Sequence, residues 1–310
     1  MGIEEELAAF SLKKDTLLTI GVFDGVHLGH KYLISQLKEH ARRQNLLSGV
    51  VTFRQHPQEV LSPQTKLPYL TDLEQRVKLL KKEGVDAVIV LSFTPELARL
   101  SARQFVGLLK KYLGMRGLVV GPDFALGQNR EGDVNALRIL GQEMNFSVTV
   151  VSPIMINGKV VSSTAIRKAL ADGNMQKVHS LVGRLFSLRG RVVTGAGRGV
   201  EIGFPTANLD INAGQALPAD GVYATRAYVG DKIYQSVSNI GRRPTFDGKE
   251  RTVEVYILDY HGDLYGRELK IDVIERLRGE ERFSTVAELK KQMVEDVKQG
   301  RAILNSPGRS

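Results

Sequence analysis

The stretch LLTIGVFDGVHLGHK, residues 17–31, joins an apolar run to a turn rich in glycine and histidine. The run 17–22 predicts a buried strand, and a helix is expected to begin near Lys31. Further apolar runs lie at 49–53, 87–91, 118–120 and 148–151, and amphipathic stretches at 31–43, 72–83 and 102–112. Strands that alternate with helices of crossover length are typical of a parallel sheet covered on both faces. We therefore predict a doubly wound α/β domain in the first part of the chain.

After Arg184 the pattern changes to short β-rich segments separated by turns. The segments are 185–193, 221–228, 232–240, 252–258 and 268–277, with turns at 229–231, 246–248 and 261–263. Such spacing predicts an antiparallel β-barrel. A final helix is expected over 284–299, with Ser284 as its cap. With 310 residues the chain exceeds the usual size of one core, so we predict two domains, 1–183 and 184–310.

Composition excludes several classes of protein. The chain has no cysteine, so disulfides, thiolate metal sites and cysteine nucleophiles are excluded, and any metal must be held by oxygen or imidazole. No apolar run approaches the ~18 residues that cross a bilayer, and acids stand where a secretory signal would carry basic residues. We expect a cytoplasmic protein without membrane or nucleic-acid partners, because its net charge of +9 is scattered rather than clustered.

Two histidines follow the first predicted strand. His27 and His30 lie three residues apart where a helix begins, and Gly25 and Gly29 let the backbone approach a ligand. A helix amino terminus attracts phosphate, and both rings could donate to an α-phosphate and its leaving pyrophosphate. The alternative is a chance pattern, with one histidine capping the helix and the other solvated.

A second polar run, VSSTAIRK at 161–168, follows the strand at 148–151 and opens another helix. Arg167 could hold the β- and γ-phosphates in a bidentate fork. Both runs would then meet at the carboxyl edge of the sheet, where ligands of open α/β sheets bind. Taken alone, the run could equally be a helix cap with a surface arginine.

Residues 191–208 contain the densest glycine cluster, with Gly195, Gly197, Gly199 and Gly203 close together. Backbone N–H groups of such a loop can wrap a phosphate. The loop is neither a P-loop nor a dinucleotide fingerprint, because no Lys-Ser/Thr ending and no crossover helix follow it. A glycine-rich turn without a ligand is the alternative.

Oxygen ligands and a carboxylate complete this second constellation. Thr206 and Asn208 share one side of an extended segment and could ligate Mg²⁺, which takes few protein oxygens when ATP supplies the rest. Strand alternation in 251–257 places Glu254 on the opposite face from Val253 and Val255. If the apolar face fills the barrel, Glu254 faces outward and could accept a proton from an alcohol. The alternatives are a solvated turn and an ordinary exposed glutamate.

The motifs GVFDGVHLGH and SSTAIRKAL resemble the nucleotidyltransferase half of the bifunctional prokaryotic riboflavin kinase/FAD synthetase family. The resemblance spans the first half and implies a Rossmann-like fold. It implies an ATP site formed by Phe23, Asp24, Gly25, His27, His30, Ser163, Thr164 and Arg167, with His27, His30 and Arg167 catalytic. Asp123 and Phe124 would lie near the flavin. This chain departs from the family pattern at Arg54, Gln55, Ala125 and Leu126.

The motifs GRGVEIGFPTAN, NIGRRPTF and RTVEVYILDYHGDLYG resemble the riboflavin kinase half of the same family. This resemblance implies that Gly195, Gly197, Gly199, Gly203, Pro205, Thr206 and Asn208 bind ATP. It also implies that Thr206 and Asn208 hold Mg²⁺ and that Glu254 is the base. Residues 277–283 resemble the family's mobile flap, with Arg278 and Phe283 at the flavin.

The expected activity is therefore conversion of riboflavin to FMN and then to FAD, with Mg²⁺ as cofactor and flavoproteins as acceptors of FAD. Two alternatives remain. One is a kinase whose transferase half has decayed at the four departures, and the other is a flavin-sensing or RNA-binding protein that keeps both folds without catalysis.

Overall fold

The computed structural model describes residues 2–10, 12–62, 64, 67–195, 199, 202–242 and 251–306. The chain forms two compact units, Met1–Ser163 and Thr164–Ser310. The predicted functional boundary between residues 183 and 184 stays a prediction. Among the helices in the described ranges, none is long and apolar enough to cross a bilayer.

The first unit contains a five-stranded parallel sheet in the order β3-β2-β1-β4-β7. The strands of this unit are β1 Thr16–Ile20, β2 Leu47–Phe53, β3 Ala87–Leu91, β4 Met115–Val120, β5 Ala125–Leu126, β6 Gly132–Asp133, β7 Ser147–Val150, β8 Met155–Ile156 and β9 Lys159–Val160. Its helices are α1 Ile3–Ala8, α2 Leu28–Arg43, α3 Pro57–Leu61, α4 Leu73–Lys82, α5 Pro95–Arg99, α6 Ala102–Leu113 and α7 Val134–Met144. The short pairs β5-β6 and β8-β9 form separate hairpins.

Both faces of the parallel sheet are buried. Leu17 and Leu18 are adjacent in β1, and since successive side chains of a strand point to opposite faces, they enter different cores. Leu18 belongs to the cluster that contains Phe105 of α6, and Leu17 to the cluster that contains Ile34 of α2. The predicted doubly wound α/β domain is confirmed.

The strand order places a switch point beside β1. The chain runs outward from β1 through β2 to β3 and then returns to the other side of β1 as β4. The connections after β1 and β4 therefore leave the sheet in a crevice, which is where open α/β sheets bind ligands. Residues 21–27 follow β1 at this point, and residues 121–124 follow β4.

The second unit is built on a closed antiparallel barrel in the order β10-β11-β14-β13-β12-β15, with β15 paired back to β10. Its strands are β10 Phe186–Val193, β11 Ala207–Asp210, β12 Gly221–Val229, β13 Lys232–Arg242, β14 Arg251–Ile257 and β15 Glu268–Arg278. Its helices are α8 Ser163–Ala171, α9 Met175–Val182 and α10 Val286–Leu304, where the first residue of α8 belongs to the first unit. The barrel is confirmed, and the predicted turn at 246–248 lies outside the described residues.

Alternation in β14 is as predicted. Val253, Val255 and Ile257 are buried, whereas Thr252, Glu254 and Tyr256 keep part of their surface exposed. Helix α10 packs against β12, β13 and β15, where Leu304 meets Ala224 and Ile274. The barrel interior is thus mainly apolar but also holds the buried hydroxyls of Thr225, Ser236 and Ser238, where Thr225 bonds to both serines. Helix α10 covers part of the outer face.

Two predicted helix starts are wrong. Helix α2 begins at Leu28 rather than near Lys31, because His27 serves as its N-cap by accepting the N–H of His30. Helix α10 is capped by Thr285 rather than Ser284, because Thr285 and Glu288 form a reciprocal capping box. It also extends to Leu304 rather than to residue 299.

Candidate functional sites

The two predicted histidines form a stacked pair at the amino terminus of α2. Their ring centroids lie 3.6 Å apart with an interplanar angle of 17°. The backbone N–H of His30 donates to Nδ1 of His27 over 3.3 Å. Because Nδ1 accepts this bond, the proton of a neutral His27 lies on Nε2, which makes Nε2 a donor. The cap therefore fixes the tautomer that could bind a phosphate oxygen.

The surroundings of His30 favour its neutral form. Its Nδ1 atom is buried and has no hydrogen-bond partner among the residues that the structure describes, although the residue keeps part of its surface exposed. Burial, and after it the charge of His27, lowers the pKa of His30 well below the usual 6.5. A phosphate anion placed beside the ring would favour the protonated form. The pair can thus respond to an anionic ligand.

The loop that carries the histidines has a strained backbone. Phe23 and Val26 have φ of 53° and 36°, which non-glycine residues rarely adopt and which costs about 1–3 kcal/mol each. Gly25 has φ of 81°, and a Cβ atom there would lie 2.8 Å from Cδ1 of Leu70. The edge of the Phe23 ring meets His30 with 5.0 Å between centroids. Such a conformation persists only where surrounding contacts enforce it.

Asp24 supplies several of those contacts. Its buried carboxylate accepts the N–H groups of Leu70 at 2.9 Å and Thr71 at 3.1 Å. Its carbonyl accepts the hydroxyl of Ser163 over 2.9 Å. The carboxylate therefore serves the loop conformation, while the predicted contact of Asp24 with ATP stays a prediction.

The remaining predicted residues of this site lie near the same sheet edge or on α8. Asp123 and Phe124 follow β4, the neighbour of β1, and the carbonyl of Asp123 accepts a bond from Arg130 over 2.9 Å. Thr164 and Arg167 lie in the first two turns of α8, in the second unit. Their roles stay predictions.

The four departures from the family pattern are accommodated by packing. Leu126 is buried in the core of the first unit, and Ala125 is half-buried beside it in β5. The Gln55 amide donates to the carbonyl of Phe93 over 3.1 Å, and Arg54 is exposed. Of the four, Leu126 is therefore part of the core and Arg54 is on the surface.

In the second unit Gly195 lies against Asn208, and Gly199 lies against Thr206. A Cβ atom at Gly195 would lie 2.1 Å from Nδ2 of Asn208, so only glycine lets this buried amide approach the backbone. Gly199 accepts the N–H of Phe204 over 2.8 Å, and a Cβ atom there would lie 3.3 Å from Oγ1 of Thr206. Gly203, in the turn before Phe204, has φ of 86°. Gly197 lies outside the described residues.

Glu254 stands between two amides on the outer face of the barrel. It pairs across strands with Asn208 of β11 on one side and with Asn239 of β13 on the other. Cβ atoms of such pairs are about 4.5–5.5 Å apart. The structure thus brings a predicted base beside a predicted metal ligand, as the sequence suggested, and adds Asn239, to which sequence reasoning gave no role.

Thr206 also lines a pocket of about 390 Å³. Pro205 and Ala207 continue one wall, and the connection between β14 and β15 forms the other with Tyr260, His261, Asp263 and Tyr265. Sequence reasoning quoted this run, YHGDLYG, but assigned it no role. Its concentration of rings, Tyr260, His261 and Tyr265, is the one sequence signal that this run carries, because rings can stack on a base.

The proposed metal ligands suit a hard cation. Thr206 and Asn208 offer a hydroxyl and an amide oxygen, the donors that Mg²⁺ accepts when substrate phosphates and water supply the other positions. In the described residues no group of three or more His, Asp or Glu side chains could hold a metal ion. The site therefore fits a cation that arrives with a phosphate ligand.

Arg278 is the last residue of β15, and Phe283 lies beside it in the segment before α10. The Arg278 guanidinium makes two 2.8 Å bonds to the buried Asp296, and these bonds raise its pKa. It also lies over the Phe283 ring, 5.8 Å from the centroid. This arrangement fixes the guanidinium against α10, and the predicted flavin contacts of both residues stay predictions.

Comparisons with known proteins cover both units. The sequence model of the family described as FAD synthetase matches residues 10–165, and that of riboflavin kinase matches residues 182–304. The bifunctional riboflavin kinase/FMN adenylyltransferase of Escherichia coli K12 is 41% identical over 282 residues, 90% of each chain. That of Listeria monocytogenes is 36% identical over 288 residues, 92% of this chain and 91% of the relative.

A solved structure is also similar. The crystal structure described as a macrolide-efflux protein from Streptococcus pneumoniae has a TM-score of 0.87 and 31% sequence identity. The match covers 95% of this chain and 96% of that one.

The lowered pKa of His30 predicts a pH dependence of stability. The unfolded chain binds a proton at this ring near pH 6.5, whereas the folded chain does not, so stability is lost as pH falls below about 6.5 toward the lowered value. His30→Gln should reduce the drop in Tm between pH 7.5 and 5.5 by roughly 2–4 °C, measured by thermal unfolding. Gln36→Ala, a non-titrating change in the same helix, should keep the wild-type drop. A drop in Tm that is as large in His30→Gln as in the wild type would contradict the lowered pKa of His30.

Proposed function

Because this chain belongs to the bifunctional riboflavin kinase/FMN adenylyltransferase family, we infer that it phosphorylates riboflavin with ATP to give FMN and then adenylylates FMN to give FAD and pyrophosphate. The observation that carries this function is the presence of two separate constellations for phosphate chemistry. One is the stacked histidine pair at the amino terminus of α2, and the other is the row of Asn208, Glu254 and Asn239 beside the glycine loop.

We propose that Glu254 is the base of the kinase step. Its carboxylate accepts the proton of the riboflavin 5′-hydroxyl as that oxygen attacks the γ-phosphorus of ATP, and ADP leaves. The glycine loop, Pro205 and the pocket beside it bind ATP, and its aromatic wall suits the adenine ring. The flavin would lie toward Arg278 and Phe283.

We propose Mg²⁺ as the cofactor, held by Thr206 and Asn208 on the ATP phosphates. When bound, it neutralises charge on the transferred phosphoryl group. The absence of a side chain at Gly195 and Gly199 leaves room for Asn208 and Thr206 against the backbone.

In the transferase step a phosphate oxygen of FMN attacks the α-phosphorus of ATP, and pyrophosphate leaves. This reaction needs no protein nucleophile, so positioning and stabilisation of charge do the catalysis. We propose that His27 donates from Nε2, that His30 gains a proton as the phosphates enter, and that Arg167 binds the leaving pyrophosphate. Phe23, Asp24, Gly25, Ser163 and Thr164 complete the ATP site, and Asp123 and Phe124 contact the flavin.

We propose residues 183 and 184 as the functional boundary, because the transferase step is assigned Arg167 of α8. The FAD synthetase match ends at residue 165, and the riboflavin kinase match begins at residue 182. Helices α8 and α9 occupy most of the stretch between the two matches. We also propose that the enzyme works in the cytoplasm and supplies FAD to flavoproteins there. A lack of cysteine suits that compartment, and recovery of the chain from a secreted fraction would argue against it.

The similarity to the structure described as an efflux protein does not transfer that activity to this chain. One fold can serve unrelated functions, so function rests on the sites. Both family matches describe enzymes of flavin synthesis, and both proposed sites carry groups for phosphate transfer.

Incubation of the purified chain with riboflavin, ATP and Mg²⁺ should give FMN first and FAD later, resolved by chromatography. Absence of FMN would exclude the kinase assignment. FMN without FAD, also when FMN is supplied directly, would favour a kinase with a decayed transferase half.

Single substitutions should separate the two activities. Glu254→Gln should lower FMN formation by about 10²–10⁴-fold, because the base is lost, and leave conversion of FMN to FAD intact. His30→Ala and Arg167→Ala should each do the reverse. Initial rates with riboflavin or FMN as substrate measure both activities, and loss of both in one folded variant would contradict two independent sites.

The register of β13 provides a test of Glu254 as the base. Asn239→Asp places a second carboxylate beside Glu254, and like charges favour its protonated form, which cannot accept a proton. The acidic limb of the kinase kcat profile should move upward by roughly one pH unit. Gln235→Glu, four residues away on the same strand, should leave the profile unchanged. A profile that stays in place in Asn239→Asp would argue against Glu254 as the titrating base.

A further inference from the structure

Arg76, in the first turn of α4, is one of the largest fully buried side chains of the first unit. Only 1% of it is exposed. Burial of a cation is costly unless its charge and its donors are used. Sequence reasoning placed it on an ordinary amphipathic helix and gave it no role.

The guanidinium joins the ends of two neighbouring strands. Nη1 donates to the carbonyl of Val22 over 3.0 Å, and Nη2 donates to the carbonyl of Phe53 over 2.7 Å. Phe53 ends β2, and Val22 lies two residues beyond the end of β1. The hydroxyl of Thr52 also donates to the Val22 carbonyl, over 3.0 Å. Arg76 therefore fixes the place where the histidine loop leaves the sheet.

The contacts of Arg76 do not fully compensate for its burial. Among the described residues no carboxylate forms a salt bridge with it, and its buried Nε has no hydrogen-bond partner. Burial lowers its pKa, which the more distant charge of Asp24 opposes. A well-packed apolar residue of similar length would avoid this cost. The feature that a guanidinium adds is its fork, which reaches two strands at once.

The segment just before α4 holds the other side of the same loop. Leu70 and Thr71 donate to the Asp24 carboxylate, and the Thr71 hydroxyl accepts the N–H of Gly25 over 3.1 Å. Residues 70–76 thus hold the loop at Val22 through Arg76 and at residues 24–25 through Thr71. Phe23 lies between these two points, and Val26 follows the second one. Both residues have unfavourable φ values.

We propose that Arg76 is a positioning residue for adenylyl transfer. Its guanidinium holds the strained loop, so that His27 and His30 stay stacked where the phosphates of ATP enter. This inference rests on the proposed role of the histidine pair. It assigns Arg76 no contact with substrate.

Arg76→Met keeps the length and packing of the side chain but removes the fork. The kcat for FMN to FAD should fall by about 10²-fold, as expected when catalytic groups are misplaced by about 1 Å. The KM for ATP should change by less than the kcat does, and the riboflavin kinase rate of the same chain should be unchanged. Arg76→Lys keeps the charge and reaches one carbonyl, so it should show an intermediate kcat. Lys78→Met, on the exposed side of the same helix, should match the wild type.

Histidine NMR provides a readout that general destabilisation would not move. In Arg76→Met the pKa of His30 should move closer to its ordinary value of 6.5, because the stack that buries the ring is loosened. The Tm should not fall in step with kcat. A kcat within threefold of the wild type with an unchanged His30 titration would overturn the proposal, as would a loss of Tm that accounts for the lost activity.

If Arg76→Met does not fold, Arg76→Lys decides, and a wild-type kcat in that variant overturns the proposal. The histidine proposal is tested separately by His30→Ala. If His30→Ala still makes FAD, the role of the histidines is wrong. If His30→Ala is inactive and Arg76→Met is active, only the role of Arg76 is wrong.

Discussion

In the first unit the geometry of the histidine pair depends on the turn that follows β1. The chain must turn from the central strand into α2 within a few residues, and it does so through Phe23 and Val26 in conformations that side chains normally avoid. Strain of this kind persists only when the surroundings over-determine it. Here the Asp24 carboxylate, the Thr71 hydroxyl and the Arg76 guanidinium supply the compensating bonds. The geometry of the histidine pair is thus a property of the packed sheet edge rather than of the loop alone.

The second unit depends on strand register instead of strain. Glu254 faces outward because Val253 and Val255 fill the barrel, and a slip of one residue would reverse both. The same register places Asn208 and Asn239 on either side of Glu254. Apolar packing inside the closed barrel therefore fixes the polar row outside it. The carboxylate of Glu254 and the two amides are therefore held in one row on the outer face, where Glu254 keeps part of its surface exposed.

The strands, the helices and the faces of several site residues could be predicted from the sequence, because the periodicity of apolar residues indicates which side chains are buried. The alternation in 251–257 predicted the orientation of Glu254, and the spacing of His27 and His30 predicted that both rings serve one site, although not that they stack. The start of α2 was misplaced because histidine is an uncommon N-cap, so capping by one histidine was considered only as an alternative. Arg76 was missed because an arginine on an amphipathic helix is normally exposed, and only tertiary contacts show that its head is buried. The aromatic wall at Tyr260 and Tyr265 was missed because its residues converge with Thr206 only in the folded barrel.

The two reactions make opposite electrostatic demands, which accounts for their separation. The kinase step needs an anionic carboxylate that takes a proton from an alcohol, beside a cation that neutralises phosphate. The transferase step starts from an ionised phosphate and needs donors, which a nearby carboxylate would engage or neutralise. A glutamate within contact of His30 would raise the pKa of that histidine and hold it in an ion pair before ATP arrived. On the proposed assignment, the carboxylate of Glu254 lies on the barrel and the histidines lie at the edge of the α/β sheet, so different elements of the chain carry the two kinds of charge.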